Sequence, residues 1–326
     1  MEKAKNGIAV AGTVIVDKIN EISAYPALGE LTQIKALQTA IGGCVPNVAL
    51  DLKKICPELP VRAIGRMGSD EEATYVRQTL AAGGVDVGGL CQEAGERTSF
   101  TEVMSIPGGQ RTFFTYAGAG GNFGLEDMDY GPTLPKMLHL GYFLLLRKVD
   151  EGDGLKILMD AKEKGIRTSI DLVSENSDRY HLVLPCLPYT DYLIVNELEA
   201  GKLAGISPED KNLPVIGEKL LALGVREKVI IHKPELSVCI TRTGMTVVPS
   251  YDLPAGYIKG TTGAGDAFCA GALLGIYQDK TDEEILTFAS GCAVMALGSP
   301  DATSGLTEEA TIREFCEQFP RQRSTL

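Results

Sequence analysis

Runs of apolar residues alternate with stretches of helical periodicity along most of this chain. The runs 8–14 and 137–140 are largely apolar, which is typical of strands buried on both faces of a sheet. The stretches 45–55 and 71–82 repeat apolar residues at helical spacing. Repeated strand–helix–strand units of this kind predict an α/β fold with a doubly wound, mostly parallel sheet flanked by helices. The further strands predicted are 61–67, 168–172, 192–195 and 229–232, and the further helices are 155–164, 215–223, 264–277 and 282–297.

Two segments, about 16–40 and 98–117, depart from this rhythm because they alternate apolar and polar residues without a helix nearby. Within the second segment, Pro107-Gly108-Gly109-Gln110 separates two alternating runs and predicts a β-hairpin. We expect these segments to form a small separate sheet inserted into one α/β domain that spans 1–326. Such a sheet could act as a lid over a pocket or be a surface decoration.

Composition narrows the classes of protein that need to be considered. With 326 residues, 44% of them hydrophobic and 23% charged, the chain can bury a sizeable core. A net charge of −12 without a basic stripe argues against nucleic-acid binding. No apolar run is long enough for a membrane span and the N-terminus lacks a signal-peptide layout, so we expect a cytoplasmic protein without membrane contact. The polar tail after Phe319 is expected to be frayed.

Cysteine and histidine spacing gives no metal or redox motif. No two of the eight cysteines have C-x-x-C spacing, so neither a zinc site nor a redox pair is indicated. The three histidines, His139, His181 and His232, lie far apart in the sequence, and we expect none of them to bind a metal.

The sharpest local feature is the glycine-rich stretch Gly260-Thr-Thr-Gly-Ala-Gly-Asp266, which opens directly into a helix-forming run. Glycines let a phosphate approach the backbone, and the amides at a helix N-terminus bind anions. Asp266 would lie in the first helical turn, where a carboxylate can accept the proton of an attacking hydroxyl. The same pattern also fits an ordinary turn followed by an aspartate that complements the helix dipole.

Three motifs together carry a family resemblance. The stretch 260–271 resembles the second signature of the ribokinase-like (PfkB) carbohydrate kinases, and 42–49 resembles their first signature, a Gly-Gly pair followed by Asn47. Asn196-Glu-Leu-Glu199 resembles the N-x-x-E element of the family. Because the three matches occur in the family's order over nearly the whole chain, the chain is identified as a member of that family.

The resemblance implies ATP-dependent transfer of a phosphoryl group to a sugar hydroxyl, with Mg²⁺ as cofactor. Asp266 would be the catalytic base, and Asn196 and Glu199 would place Mg²⁺ and its waters, with Glu199 acting indirectly on the metal. The anion hole would be formed by the amides of Gly263, Ala264 and Gly265, and further nucleotide contacts by Thr262 and Lys233. The sugar contacts implied are Asp17, Gly42, Gly43 and Asn47. Arg111 and Arg179 are weaker candidates, and Asp171 is a candidate because it ends a predicted strand; a salt-bridged surface role is the alternative for each of these three. Asp17 is expected to end the first strand, at the carboxyl edge of the sheet, where such folds bind ligands.

The sequence also departs from the family and leaves alternatives open. Gly260 replaces the usual leading aspartate of the second signature, which makes activation by a monovalent cation doubtful. The stretch 42–49 is more similar to fructokinases than to ribokinases, which favours a ketose or fructose-like sugar. A nucleoside kinase of the same family is the alternative, since Phe113, Phe114 and Tyr116 could stack on a base. A further alternative is a non-catalytic sensor that binds a sugar or a nucleotide.

Exposed apolar residues in the lid segments predict a homodimer joined through the lids.

Overall fold

The computed structural model describes residues 4–106, 111–324 and 326. Within these residues, the strands in chain order are β1 (Ile8–Gly12), β2 (Ile15–Ile22), β3 (Ile34–Gly42), β4 (Val61–Met67), β5 (Asp86–Gln92), β6 (Phe100–Ser105), β7 (Arg111–Tyr116), β8 (Met137–Phe143), β9 (Arg167–Leu172), β10 (Tyr192–Asn196), β11 (Lys228–His232), β12 (Leu236–Thr241) and β13 (Gly244–Pro249). The α-helices are α1 (Cys44–Ile55), α2 (Glu71–Ala82), α3 (Gly154–Glu163), α4 (Glu197–Ala204), α5 (Leu213–Ala222), α6 (Ala264–Tyr277), α7 (Asp282–Leu297) and α8 (Glu309–Cys316).

A nine-stranded sheet in the order β13-β12-β11-β10-β9-β8-β1-β4-β5 forms the centre of the molecule. The strands from β11 to β5 are parallel to their neighbours, and β12 and β13 extend the sheet antiparallel. Along β1, Ile8 and Val10 pack into the core beneath α1, α6 and α7, whereas Ala9 and Ala11 pack into the core beneath α3, α4 and α5. Both faces of the sheet are therefore covered, which confirms the doubly wound fold predicted from the apolar strands.

A second sheet has four strands in the order β3-β2-β6-β7 and is separate from the large one. Strand β2 pairs antiparallel with β3 and parallel with β6, and β6 pairs antiparallel with β7. The separate small sheet is therefore confirmed, while the turn predicted at Pro107–Gln110 lies outside the described residues. Large apolar side chains on this sheet are exposed, among them Leu37, Phe113 and Phe114.

The first predicted strand, 8–14, is wrong at its end, and this moves Asp17. Strand β1 stops at Gly12, which has φ +127° and lies so close to β8 that a Cβ would meet the Gly141 carbonyl oxygen at 2.5 Å. The chain then enters β2 of the small sheet at Ile15. Asp17 consequently lies within β2, opposite Ala40 of β3, and does not end a strand of the large sheet.

The prediction of a frayed tail after Phe319 is wrong for residues 320–322. Arg321 donates to the Pro249 carbonyl oxygen at 2.9 Å, and its guanidinium lies 3.6 Å from the ring centroid of Tyr251. The Gln322 amide donates to the Ser250 carbonyl oxygen at 2.8 Å. A polar segment is ordered here because its side chains and amides bind the backbone beyond β13.

Across the described parts of the chain, none of the helices has both the length and the hydropathy that crossing a bilayer requires. The eight cysteines are all free thiols.

Candidate active site

The glycine-rich stretch forms a tight loop at the N-terminus of α6. Gly263 caps the helix with φ +79°, and a Cβ there would lie 2.4 Å from the Ala302 carbonyl oxygen, so both the backbone conformation and the space require glycine. Helix α6 begins at Ala264, and the first amides of a helix have no acceptor within it. Together with Gly265, these residues surround the start of the helix as an anion site would require.

Asp266 is buried in the first turn of α6, only 5% exposed, and two side chains donate hydrogen bonds to it. Asn47 Nδ2 donates to Oδ2 at 2.8 Å, and the Tyr142 hydroxyl lies 2.9 Å and 3.0 Å from the two carboxylate oxygens. Burial raises the pKa of Asp266 to about 7; the Asn47 and Tyr142 hydrogen bonds oppose the rise, while the charges of Asp171 and Asp17 add to it. A carboxylate with this pKa can take up a proton near neutral pH.

The first signature lies directly beside Asp266. Gly42 ends β3 against Asp17, and a Cβ on Gly42 would come within 2.4 Å of Asp17 Oδ2. Gly43 caps α1 with φ +86°, and a Cβ there would meet the Thr13 carbonyl oxygen at 2.6 Å. The two glycines therefore allow Asp17 and the start of α1 to approach each other. Burial raises the pKa of Asp17 to about 6.

Asp171, near the end of β9, faces the same site. Its Oδ1 accepts a hydrogen bond from the Tyr142 amide at 2.5 Å, and its Oδ2 lies 3.4 Å from His139 Nε2. The ligand atoms of Cys44, His139 and Asp171 all lie within 4.8 Å of one another. Since these are residue types that bind metals, the expectation that no histidine binds a metal stays a prediction.

A cavity of about 580 Å³ adjoins the other side of the loop. Ala264, Gly265 and Phe268 of α6 form one wall. Asn196, which ends β10, and Lys233, which directly follows β11, also line the cavity. The cavity is thus at the carboxyl edge of the parallel sheet, where folds of this kind bind ligands. His232 also lines it, with its ring 4.7 Å from that of Phe268 and its pKa lowered by burial to about 4, so that the imidazole is neutral.

Asn196 and Glu199 form a capping box at the start of α4. Asn196 Oδ1 accepts a hydrogen bond from the backbone amide of Glu199 at 2.9 Å, and Glu199 Oε2 accepts one from the backbone amide of Asn196 at 3.1 Å. Ser174 donates to Glu199 Oε1 at 2.7 Å. Burial raises the pKa of Glu199 to about 7, against the hydrogen bonds from Ser174 and Asn196. Each carboxylate oxygen of Glu199 accepts one hydrogen bond and keeps a second lone pair, so Glu199 has the chemistry to hold Mg²⁺ or one of its waters.

The structure gives each predicted basic contact an observed partner. Arg111, at the start of β7, donates to Thr262 Oγ1 at 2.7 Å and so joins the small sheet to the glycine-rich loop. Lys233 is paired with Asp210 at 2.6 Å and Glu235 at 3.0 Å while it lines the cavity. Arg179 forms an ion pair with Glu175 at 2.6 Å and a longer one with Asp150 at 3.5 Å. Unlike Lys233, it does not line the cavity beside α6.

Sequence reasoning missed Tyr142 as a partner of Asp266. Tyr142 has φ +60°, a conformation that non-glycine residues adopt rarely and mostly where surrounding structure imposes it. Its position near the carboxyl end of β8 was the available signal, because side chains at that edge of a parallel sheet converge on the ligand site. Its positive φ and its hydroxyl contact depend on packing and could not be read from the sequence.

Comparison with known proteins agrees with this geometry. The model of the pfkB family carbohydrate kinases matches residues 7–309. The chain is 24% identical over 308 residues to a ribokinase of Arabidopsis thaliana, covering 94% of this chain and 79% of the relative. It is 24% identical over 322 residues to fructokinase-1 of Oryza sativa subsp. japonica, covering 94% and 96%. The solved structure of Arabidopsis thaliana ribokinase complexed with ribose and ATP superposes with a TM-score of 0.80 at 22% identity, covering 96% of this chain and 99% of that one.

A mostly parallel α/β sheet with a glycine-rich helix start and a buried aspartate at its carboxyl edge fits a phosphotransferase that acts on an alcohol group. The chain belongs to the PfkB family of carbohydrate kinases, whose model covers nearly its whole length.

Proposed function

We propose that this protein is an ATP-dependent kinase that transfers the γ-phosphoryl group to a hydroxyl of a small sugar, with a ketose or fructose-like sugar favoured. The observation that carries the proposal is the position of Asp266. Its buried carboxylate lies at the N-terminus of α6, between the nucleotide-sized cavity and the side chains of the first signature. A base placed there can act on an acceptor hydroxyl that meets the phosphoryl group at the loop.

Asp266 accepts the proton of the sugar hydroxyl while the hydroxyl oxygen attacks the γ-phosphorus, and the bond between that phosphorus and the β,γ-bridging oxygen breaks to release ADP. The amides of Gly263, Ala264 and Gly265 stabilise the charge that develops on the transferred phosphoryl group. Positioning and charge stabilisation account for most of the catalysis, because phosphoryl transfer needs little covalent chemistry from the protein.

The cavity beside α6 takes the nucleotide. Its apolar wall, formed by residues such as Leu253, Val294 and Leu297, suits the adenine ring, and Asn196 and Lys233 suit the phosphates. Mg²⁺, when bound with the nucleotide, would neutralise phosphate charge. Glu199 would hold a water of the metal, since its carboxylate is fixed by Ser174 and by the Asn196 amide.

The small sheet acts as a lid over the sugar. It contributes Asp17 as a sugar contact, and Arg111 reaches the loop through Thr262. Closure of such a lid excludes water and limits wasteful hydrolysis of ATP. The exposed apolar side chains of the lid, including Leu37, which is 77% exposed, favour a homodimer in which the two lids cover each other.

Two substrate classes compete for the acceptor site. The first signature favours a ketose, and the named relatives are a ribokinase and a fructokinase. A nucleoside acceptor is favoured by Phe113, which is 59% exposed and lies on the same face of the small sheet as Asp17, where it could cover a base. Phe114 lies on the opposite face. Sugar hydroxyls pair well with Asp17, Asn47 and Asp171, which is why we favour the sugar.

A panel assay tests the proposal. The purified protein is mixed with MgATP and, one at a time, ketoses, aldoses and nucleosides, and ADP release is followed with a coupled assay. Phosphorus NMR of the product then identifies the phosphorylated hydroxyl. We expect a sugar to stimulate ADP release above the background hydrolysis. Stimulation by nucleosides alone would identify a nucleoside kinase, and no stimulation by any compound would leave the non-catalytic sensor.

A further inference from the structure

Asp51 is a fully buried carboxyl group that the phosphoryl-transfer mechanism does not use. It lies on α1, one turn after Asn47, and is 0% exposed. Neither Oδ1 nor Oδ2 has a hydrogen-bond partner among the described residues. An ionised carboxylate in such a position costs several kcal/mol even after relaxation, so a buried group of this kind takes up a proton instead.

The charged and titratable groups that face Asp51 give it little compensation. Lys54 on the same helix is the nearby cation, and its ammonium group donates to the Thr303 carbonyl oxygen. The other groups are Asp266 and Cys269 on α6, Cys292 on α7, and Asp301 in the loop after α7. Burial, followed by the charge of Asp266, raises the pKa of Asp51 well above its ordinary value; Lys54 opposes this and Asp301 adds to it.

One turn before Asp51, the side chain of Asn47 carries a buried oxygen that has no donor among the described residues. The Asn47 amide directs Nδ2 to Asp266, which leaves its Oδ1 buried without a partner among the described residues. Thr13 Oγ1 is also buried without a partner, so it does not donate to this oxygen. Side chains four residues apart share one face of a helix, and each leans toward the helix N-terminus. Asp51 and Asn47 therefore lie one turn apart on the same face of α1.

We propose that Asp51 is a neutral carboxylic acid whose hydroxyl donates to Asn47 Oδ1 and thereby fixes the amide that donates to Asp266. Asp51 is thus a positioning residue that acts on the base through Asn47. The kinetic part of this inference rests on the proposed function, whereas the protonation of Asp51 is a property of the fold alone. The two parts are tested separately.

The first experiment measures unfolding by urea from pH 5 to pH 9 for the wild type and for Asp51→Asn, whose amide is neutral and still donates. Because the folded state holds a proton that the unfolded state releases, wild-type stability falls as pH rises from the unfolded pKa towards the folded one. The unfolding constant of the wild type should therefore rise with pH relative to that of Asp51→Asn, by up to about tenfold per pH unit, until the pH reaches the folded pKa of Asp51. A ratio that stays constant over this range would overturn the proposal, because Asp51 would then be ionised in the fold.

Asp191 provides the matched control for this experiment. It is 1% exposed, yet it is paired with Lys162 at 2.7 Å and Arg226 at 3.2 Å. Asp191→Asn removes a paired charge, so its stability relative to the wild type should not increase with pH. The same increase in both variants would mean that the effect is general to buried aspartates and would overturn the proposal.

The second experiment compares the pH dependence of kcat in the wild type, Asp51→Asn and Asp51→Leu, which has a similar size but no donor. In Asp51→Leu the Asn47 amide loses its fixed orientation, which weakens its hydrogen bond to Asp266 and raises the pKa of Asp266. The pH at which kcat falls on the acid side should therefore be about one pH unit higher in this variant. Asp51→Asn should match the wild type. An acid limb at the same pH in the Leu and Asn variants would overturn the positioning role. If Asp51→Leu does not fold, Asp51→Ala, which is smaller and also lacks a donor, should show the same displacement. If the wild type phosphorylates no acceptor, the proposed function fails while the unfolding experiment still decides the protonation of Asp51.

Discussion

Tyr142 offers a direct way to perturb the catalytic base without removing it. Its hydroxyl lies 2.9 Å and 3.0 Å from the two oxygens of Asp266, and Tyr142→Phe deletes only that hydroxyl. A hydrogen bond to an ionised group contributes about 1.5–3 kcal/mol, and one pKa unit corresponds to about 1.4 kcal/mol. Since the bond stabilises the ionised form, its loss should raise the pKa of Asp266 by about one to two units.

The consequence is a displaced pH profile. Starting from a pKa of about 7 for Asp266, the variant should have a pKa of about 8 to 9, so its ionised fraction at pH 7 falls about 5- to 50-fold. We therefore expect kcat to fall by that factor at pH 7 and to recover above pH 9. The assay is steady-state ADP release at saturating substrates from pH 5.5 to 10. Tyr277→Phe, which removes a hydroxyl bonded to Asn6 at the other end of α6, serves as the control. An acid limb that does not move in Tyr142→Phe, or a loss of rate that is equal at every pH, would refute the reasoning.

The remaining predictions concern the metal, the monovalent cation and assembly. Glu199→Gln should raise the Mg²⁺ concentration that gives half-maximal rate and leave sugar affinity intact, because it removes a charge near the metal's waters; an unchanged Mg²⁺ titration would show a purely structural residue. Activity should depend little on K⁺, since Gly260 offers no carboxylate; a several-fold activation on adding K⁺ to a buffer of a bulky organic cation at matched ionic strength would contradict this. Light scattering at micromolar concentration should give the mass of a homodimer joined through the lids, and a monomer would refute that arrangement.

Much of the fold could be predicted because local signals agreed with it. Helix α2 spans Glu71–Ala82 as the pattern predicted, and Asp70 caps it by accepting from the Ala73 amide at 3.0 Å. Helix α7 begins after Thr281, which forms a capping box with Glu284. In these places a short stretch of sequence contains both the apolar face and the residue that caps the start of the helix.

The candidate site was only partly predictable, because its decisive contacts join distant segments. Asn47 and Asp266 belong to separate motifs, and their hydrogen bond follows from the packing of α1 on α6. Asp17 was assigned to the wrong element, since the turn at Gly12 depends on the close approach of Gly141 from β8. The burial of Asp51 could not be inferred either, because an aspartate within a helix is ordinarily exposed.

The most direct test of the account is the effect of Asp266→Asn on turnover. The amide has nearly the same shape, so the fold and nucleotide affinity should be retained, and thermal unfolding and ATP titration check this. Because the amide cannot accept the proton of the acceptor hydroxyl, kcat should fall by at least about 100-fold with the sugar that the wild type prefers. A correctly folded Asp266→Asn variant that binds ATP and turns over at close to the wild-type rate would contradict the assignment of Asp266 as the base.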